Sequence, residues 1–399
     1  MRLPTVDDVE KLIPRPEDFE SRARGTGLTA RVGTALGIAF AICFLTGIWS
    51  HLQYDPPGWL PLGPQPTQLY RITQGTHVIT GIASIPLILV KLWSVFPRLF
   101  IRPPRGPRAL LVEALERASI GALVGSSIFM LASGLLNIAQ WYPWDFSFRA
   151  THYAVAWVAI GSLLVHIAVK LPVIRQALGA PISDAVDDDP ADDVHDDHDD
   201  PESLTRRTVM LGAFASAGLA ALLTAGQTVP FLRKISVFAV RDGEGPQGLP
   251  INRTAKAAGA VEAASDPSFV LEIIVDGVTT TLDRDQLAAL PQRTHELPIA
   301  CVEGWSRSAS WTGVAVRDLL EMAGAPGRSE VLVRSMQTKG AFGTSVLPAR
   351  FVEDHRTLLA LQLNGEDLSL DHGFPCRIIA PNRPGVLQTK WVRQIEVRS

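Results

Sequence analysis

The chain has 399 residues, of which 47% are hydrophobic, and its formal net charge at pH 7 is −3. This length predicts two or three domains, and so weak a net charge indicates no nucleic-acid partner. The three cysteines fall in separate apolar segments, which excludes a disulfide framework and a zinc-finger spacing.

Five apolar runs are long enough to cross a bilayer, which takes about 20 residues in a helix. They are approximately Val32–Trp49, Val78–Val95, Ile120–Ile138, Tyr153–Val173 and Val209–Val229. Residues 1–28 are charged and interrupted by prolines, so they predict a cytoplasmic segment and no cleavable signal peptide. The first four runs predict a helical membrane domain over residues 29–180, and the fifth predicts an anchor helix within residues 206–235.

Lysine and arginine are distributed unevenly among the loops that join these runs. They gather before the first run, between the second and third, and between the fourth and fifth, while one opposite loop carries Trp141, Tyr142 and Trp144. Cytoplasmic loops are rich in Lys and Arg, and aromatic residues favour the membrane interface. The sequence therefore predicts a multi-pass protein of the cell membrane, in contact with lipid, whose residues 236–399 are extracytoplasmic.

The segment that joins the fourth and fifth runs, residues 181–205, is strongly acidic. So many like charges predict a disordered cytoplasmic linker. His195 and His198 within it could bind a metal weakly with their aspartate neighbours, although a solvated hinge is the favoured interpretation. The following Thr205-Arg206-Arg207-Thr208-Val209-Met210 resembles a twin-arginine export signal in an internal position. The alternative is that both arginines only anchor the fifth helix on its positive side.

Residues 236–399 alternate short apolar segments with glycine and proline turns. The predicted strands are Val270–Val275, Pro298–Val302, Val331–Ser335, Leu359–Leu363, Cys376–Ala380 and Val392–Val397, and the predicted helices are Asp283–Leu290 and about Val314–Ala323. This pattern is typical of an α+β, mostly β domain.

Cys301 ends an apolar segment in the run Ala300-Cys301-Val302-Glu303-Gly304-Trp305-Ser306, and Trp311-Thr312-Gly313 follows. This string is similar to the molybdenum-ligand segment of sulfite-oxidase-type molybdopterin domains. A single thiolate can hold a metal whose other ligands come from an organic dithiolene. The alternative interpretation of the residue itself is a buried structural cysteine.

Further strings follow in the order of that family, and the resemblance covers nearly all of residues 236–399. They are Leu363-Asn364-Gly365, Asp371-His372-Gly373-Phe374-Pro375-Cys376-Arg377 and Lys390-Trp391-Val392. The resemblance implies that Cys301 binds molybdenum. It also implies pterin and phosphate contacts from His372, Arg377 and Lys390 and, as a weaker candidate, Asn364. Trp305 and Arg307 are candidate catalytic residues, since they follow Cys301 closely and are expected to line the substrate funnel.

Histidines mark the ends of several membrane runs: His77 opens the second, His152 opens the fourth, and His166 follows in the fourth. The spacing of His152 and His166, which are 14 residues apart, resembles that of the haem-binding histidines in cytochrome b membrane proteins. That resemblance implies a b-type haem between His77 and His152. Lys91 stands where the partner of His166 at a second haem would be, so His166 has no evident partner in the sequence. His51 could replace His77 or His152 as a haem ligand, or it could bind a quinol head group. Interfacial histidines without haem are the alternative.

The predicted fold is multi-domain: an all-α transmembrane bundle of four helices plus a fifth anchor helix, followed by an α+β, mostly β sulfite-oxidase-like molybdopterin domain. The predicted function is a membrane-bound molybdenum oxidoreductase. It exchanges electrons between the quinone pool, through b-type haem, and a small extracytoplasmic oxo-acid or sulfoxide-type substrate. The alternative is a non-catalytic membrane electron-transfer or sensor protein with a degenerate cofactor domain.

Overall fold

The computed structural model describes residues 15, 19, 21, 23–101, 104, 106–182, 205–239, 245–325 and 329–398. The chain forms two compact units, one from Met1–Leu45 and Val78–Leu223, the other from Thr46–His77 and Thr224–Ser399. The predicted acidic linker, except for its ends, and most of the predicted N-terminal segment lie outside the described residues.

Five long helices occupy the five predicted apolar runs. They are α1 (Thr26–Tyr54), α2 (Leu69–Val95), α3 (Pro107–Ile138), α4 (Phe148–Gly179) and α5 (Arg206–Ala225). Each is long and apolar enough to cross a membrane, which confirms the prediction of five such helices. α5 ends at Ala225, before the predicted Val229, because the chain turns back: a β-carbon on Gly226 would lie 2.7 Å from Arg233 Cα.

The first unit is built from long helices with apolar outer surfaces. Buried Leu28, Leu87 and Ala213 bring α1, α2 and α5 together, and α3 packs on α4. Arg31 donates from Nη2 to Ala180 O at 2.7 Å, so a cation satisfies a carbonyl at the end of α4. Large side chains such as Leu164 remain exposed, as expected of helices whose solvent is lipid.

The second unit contains two five-stranded sheets. Their strands are β1 (Val270–Val275), β2 (Val278–Asp283), β3 (Arg293–Ala300), β4 (Ser306–Ala315), β5 (Val331–Ser335), β6 (Thr344–Leu347), β7 (Leu358–Leu363), β8 (Glu366–Asp367), β9 (Arg377–Ile379) and β10 (Val392–Val397). The first sheet has the order β2-β1-β10-β5-β6, in which β1 and β10 are parallel. The second has the order β3-β4-β7-β8, with β9 also paired to β7.

Short helices complete the second unit: α6 (Ala255–Ala258), α7 (Val261–Ala264), α8 (Arg284–Ala289), α9 (Val316–Met322) and α10 (Ala349–Val352). One buried cluster joins the first sheet to α8, α9 and α10 through side chains such as Leu271, Leu287 and Leu319. A second cluster lies on the β3-β4-β7 sheet and includes Cys301 and Trp311. The candidate cysteine is therefore part of a packed core.

The predicted α+β, mostly β class of this region is confirmed, and β1, β5 and β10 have the predicted bounds. The helix predicted from Val314 was wrong at its start, because Val314 and Ala315 pair with β7 and the helix begins at Val316. β4 was not predicted, since Ser306–Ala315 is rich in serine and has few large apolar residues. Pairing with a strand on each side compensates for that weak local preference.

Residues 46–77, predicted as part of the membrane domain, belong to the second compact unit. Asn382 ties this segment to the β-rich part by two hydrogen bonds: its Oδ1 accepts from Tyr70 N at 2.9 Å, and its Nδ2 donates to Gly63 O at 2.9 Å. Arg356 adds a third by donating from Nη1 to Thr67 Oγ1 at 3.1 Å. The start of α2 is thus held against the β-rich part of its own unit.

Candidate active site

Cys301 lies in the five-residue loop that joins the antiparallel strands β3 and β4. Ala300 and Ser306 are paired at the ends of this loop. Cys301 N donates to Trp305 O, and Gly304 N donates to Cys301 O, both at 3.0 Å. Gly304 has φ of 91°, a backbone conformation that glycine adopts without steric cost. The loop therefore closes on itself and fixes Cys301 at the end of the sheet.

The Cys301 side chain is buried, with 1% of its surface exposed. Burial, joined by the Glu303 carboxylate, raises the pKa of the thiol well above its ordinary value, while the Val302 and Glu303 backbone N–H groups oppose that rise. The thiolate consequently needs a bound cation for stabilisation in this environment. A coordinated metal would provide it, since a metal ion deprotonates a thiol ligand outright.

Lys390 is brought to this loop from the far end of the chain, and the charges of Cys301 and Lys390 act on each other. The Lys390 ammonium is enclosed by oxygens, donating to Asn252 Oδ1 at 3.2 Å, Arg253 O at 2.5 Å and Asp371 O at 2.9 Å. Burial, followed by the charge of Arg377, lowers its pKa to about 7. An anion bound beside it would restore the charged form.

Arg377 and His372 form the other part of the cluster. Arg377 is buried, donates to His372 O at 3.0 Å and Gln388 O at 3.2 Å, and lies with its guanidinium 5.0 Å from the Trp311 ring centroid. Burial lowers the pKa of Arg377 to about 9. Burial, followed by the Arg377 charge, lowers the pKa of His372 to about 4, so His372 is a neutral imidazole at pH 7.

The cations of this cluster have neutral partners. Within the described part of the chain, no carboxylate lies within 4.0 Å of the charged atoms of Arg377, Arg383 or Lys390, whose contacts are mainly backbone carbonyls. Arg377 Nε and Gln388 Oε1 are buried without a hydrogen-bond partner in the described residues. Buried charges are normally paired, and buried polar groups are normally bonded. These residues fit a cofactor that brings an anionic phosphate and hydrogen-bonding ring atoms.

Two members of the cluster were not predicted from the sequence. Arg383 is buried and donates to Leu387 O at 3.1 Å and to Val346 O at 2.5 Å. Gln388 is buried and donates to Arg383 O at 2.9 Å. The sequence signal was the polar, proline-rich run Asn382-Arg383-Pro384-Gly385 between two apolar strands, which reads as an ordinary exposed loop.

Three predicted residues have internal contacts of their own. Trp305 is buried and donates from Nε1 to Glu303 Oε2 at 3.0 Å. Arg307 is buried and donates from Nη1 to Gln227 O at 3.2 Å. Asn364 is exposed at the β7–β8 turn, where its amide accepts from Ser310 N at 3.0 Å and donates to Gln247 O at 2.8 Å. Asn364 thus joins backbone segments, and its contact with a pterin stays a prediction.

The candidate haem ligands lie in α2 and α4. In the second unit, His77 Nδ1 is 3.2 Å from Thr46 Oγ1, and a β-carbon on Gly47 would lie 3.2 Å from the ring. In the first unit, His152 Nδ1 is 3.0 Å from Ser133 Oγ. A hydroxyl at Nδ1 orients an imidazole whose Nε2 takes a metal, so both side chains fit iron ligation.

His51 and His166 occupy different settings. His51 lies in the last turn of α1 and is partly buried. His166 lies inside α4, and the charges of Lys91, Lys170 and Glu116 act on it. Lys91 donates to Thr29 O at 2.9 Å, which accounts for its position without a metal. Neither the haem assignment nor the roles of these histidines is tested by this geometry, and they stay predictions.

The family of this domain follows from a comparison with known proteins. Residues 258–399 match the family described as "Oxidoreductase molybdopterin binding domain". The C-terminal part of the chain is therefore a molybdopterin-binding oxidoreductase domain, as the resemblance predicted. The match includes Cys301 and every predicted pterin-contacting residue.

Individual relatives match shorter parts of the chain. Mouse mitochondrial sulfite oxidase is 32% identical over 99 residues, which cover 23% of this chain and 18% of that protein. A putative protein-methionine-sulfoxide reductase subunit YedZ1 from Azospira oryzae is 30% identical over 137 residues, covering 34% of this chain and 50% of that protein. The chain thus spans at most half of the length of these relatives. The crystal structure of the sulfane dehydrogenase SoxCD from Paracoccus pantotrophus aligns with 33% of this chain and 38% of its own chain, at 22% identity and a TM-score of 0.30.

Proposed function

We propose that this protein is a membrane-bound molybdenum oxidoreductase. It exchanges electrons between the quinone pool, through a b-type haem, and a small extracytoplasmic oxo-acid or sulfoxide-type substrate. The observation that carries the proposal is the convergence of the buried Cys301 thiol with cations that have no carboxylate partner in the described residues. A metal–dithiolene cofactor with a phosphate complements both features.

The cofactor, when bound, supplies two-electron exchange with the substrate, and the chain supplies its orientation and electrostatics. Cys301 provides the thiolate ligand. Lys390 and Arg377 hold the anionic part, the first as a point charge and the second as a forked donor. His372 stays neutral at pH 7, and its Nε2 is 2.8 Å from Pro246 O, which fixes the ring. Trp305, the last residue of the Cys301 loop, and Arg307, the second residue of β4, shape the approach of the substrate.

The membrane half supports the quinone and haem parts of the proposal. Five helices can span a membrane, and one relative is a putative protein-methionine-sulfoxide reductase subunit. His77 and His152 both have a hydroxyl at Nδ1, as haem-ligating imidazoles require of an orienting partner. The distribution of Lys and Arg among the loops, together with Arg206 and Arg207, favours an extracytoplasmic C-terminal domain.

The test uses the full chain purified from a host that makes molybdenum cofactor and haem. Metal content and the visible spectrum report the two cofactors, and sulfite and methionine sulfoxide are assayed with a quinone and a quinol respectively. Turnover of either substrate with stoichiometric molybdenum supports the proposal. Full-length protein that contains haem but no molybdenum would overturn it in favour of a membrane electron-transfer or sensor protein.

A further inference from the structure

The start of α2 contacts the Cys301 loop within the second compact unit. Gln74 is 4% exposed, and its Nε2 donates to Val302 O at 3.2 Å. Its Oε1 accepts from Ser50 Oγ at 3.0 Å, which fixes which end of the amide faces the loop. A buried amide from a predicted membrane helix is therefore bonded to the residue that follows the metal-ligand candidate.

A second contact brings α2 to the same loop. A β-carbon on Gly75 would lie only 2.3 Å from Thr228 Cγ2, so glycine is required for this approach. Thr228 in turn donates from Oγ1 to Gly304 O at 2.5 Å. The Cys301 loop is consequently fixed at Val302 by Gln74 and at Gly304 by Thr228, with α2 packed closely behind both.

His77 completes the arrangement. It follows Gln74 by three residues in the same helix, so the two side chains lie on neighbouring positions of one helix face. Val302 is covalently bonded to Cys301. A short path thus runs from His77 along one turn of α2 to the Gln74 amide, across one hydrogen bond to Val302, and to Cys301.

We propose that this α2 turn is the route by which electrons pass between the haem and the molybdenum site. Gln74 is the positioning residue, because its hydrogen bond to Val302 O connects α2 to the Cys301 loop. The inference rests on the proposed function, since it needs His77 to hold haem and Cys301 to hold the metal. In the direction of substrate reduction, quinol would be the electron donor, and the α2 turn would carry its electrons one at a time from a haem on His77 to a metal on Cys301. Two such transfers match one two-electron turnover of the substrate.

The chain offers a matched set of variants. Gln74→Leu removes the amide at nearly constant volume. Gln74→Glu keeps the shape, but a carboxylate cannot donate to Val302 O, whereas the protonated acid can. Gln68→Leu is the control, because Gln68 is exposed near the same end of α2, and its side chain contacts Arg71 without reaching the Cys301 loop.

The measurement is the single-turnover oxidation of prereduced haem by substrate, followed by absorbance. We expect the fast phase to be lost in Gln74→Leu and kept in Gln68→Leu, with molybdenum and haem contents unchanged in both. In Gln74→Glu the fast phase should return as the pH falls through the pKa of the new carboxyl group, since protonation restores a donor. A substrate assay driven by a reduced dye that feeds molybdenum directly should remain at the wild-type rate.

A readout independent of turnover is hydrogen exchange in the loop. Gln74→Leu should speed amide exchange of residues 301–305, because Val302 O loses its hydrogen bond to α2 and the loop keeps only its two internal hydrogen bonds and the contact of Gly304 with Thr228. A wild-type rate of haem oxidation in Gln74→Leu would overturn the inference. So would a slow rate in Gln74→Glu that does not change with pH. Absence of haem or molybdenum from the wild-type protein would instead refute the proposed function, so the two failures are distinguishable.

Discussion

Gly373 lies directly against Lys390: a β-carbon at Gly373 would be 3.0 Å from Lys390 Cβ and 3.1 Å from Arg377 Cβ. Its φ is 111°, a conformation that other residues rarely adopt. The glycine in the string Asp371-His372-Gly373 therefore allows the buried Arg377 and the partly buried Lys390 to approach the same backbone. The proximity of these cations defines the anion-binding part of the proposed cofactor site.

We expect Gly373→Ala to destabilise the C-terminal domain by about 1–3 kcal/mol from backbone strain. It should also displace Lys390 and Arg377 enough to reduce the molybdenum content. The control is Gly365→Ala, because Gly365 has φ of 85° but no atom within 4 Å of a new β-carbon. The control should lose stability but keep its molybdenum content. Denaturant unfolding and metal analysis measure these two quantities. Equal molybdenum retention in both variants would contradict the role of Gly373.

Cys301→Ser should leave the protein inserted and folded but remove molybdenum and turnover, because a hydroxyl replaces thiolate poorly at this metal. Metal analysis and the substrate assay measure both effects. Cys376→Ser is the matched control: Cys376 is also fully buried, but its Sγ is 3.3 Å from Val392 O within the core. The ligand assignment would be refuted by a Cys301→Ser protein that binds molybdenum and turns over normally.

The cofactor-free protein should become more stable as the pH rises from about 7 to about 9. The folded-state pKa of Lys390 is lowered to about 7 from 10.5, so in this window the unfolded chain binds more protons than the folded chain. Stability then increases with pH by at most about 1.4 kcal/mol per unit. Above pH 9 the lowered pKa of Arg377 adds to the same trend.

Lys390→Met should flatten this rise between pH 7 and 9, because it removes the titrating group. Tryptophan fluorescence can follow unfolding, since Trp305, Trp311 and Trp391 are fully buried in this domain. Bound cofactor should flatten the rise as well, by favouring the charged ammonium. An unchanged pH dependence in Lys390→Met would show that other groups control the stability.

His77→Ala and His152→Ala should each abolish a low-spin b-type absorption band, because iron with two imidazole ligands changes spin state when either is lost. His166→Ala should leave the band largely intact, since His166 lies about 21 Å further along the helix than His152. Spectra of reduced membranes distinguish these results. Loss of the band in His166→Ala with retention in His77→Ala would place the haem at the other side of the bilayer.

The paired substitution of Arg206 and Arg207 by lysine tests the export signal. It preserves the positive charge that orients α5, so only a receptor-read signal should be affected. We expect residues 236–399 to lose accessibility to external protease in this double variant. Arg206 also donates from Nε to Arg24 O at 2.8 Å, so Arg207→Lys alone is the control for a structural effect. Unchanged protease accessibility in the double variant would show that Arg206 and Arg207 only anchor α5 and are not an export signal.

Much of the candidate site could be predicted because its residues occur in short strings. Cys301 at the end of β3, and the group His372, Arg377 and Lys390, were all found in this way. Arg383 and Gln388 were missed because their signal, a polar loop with proline, is typical of exposed turns. Arg383 is held by a hydrogen bond to the distant Val346 O, and Gln388 by one to Arg383 O, so the burial of both depends on a contact that no local pattern contains.

The five long apolar helices could be predicted from local sequence, because a span in lipid must be apolar and must satisfy its backbone hydrogen bonds internally, whatever its neighbours are. The metal-ligand role of Cys301 was also predicted from the sequence, because it follows from the short string around the cysteine, and it stays a prediction. Two relationships could be found only in the folded chain: the charges of Lys390 and Cys301 act on each other, and Gln74, at the start of α2, donates a hydrogen bond to Val302 O. Both relationships join segments far apart in the chain, so their geometry depends on packing and strand pairing rather than on local preference.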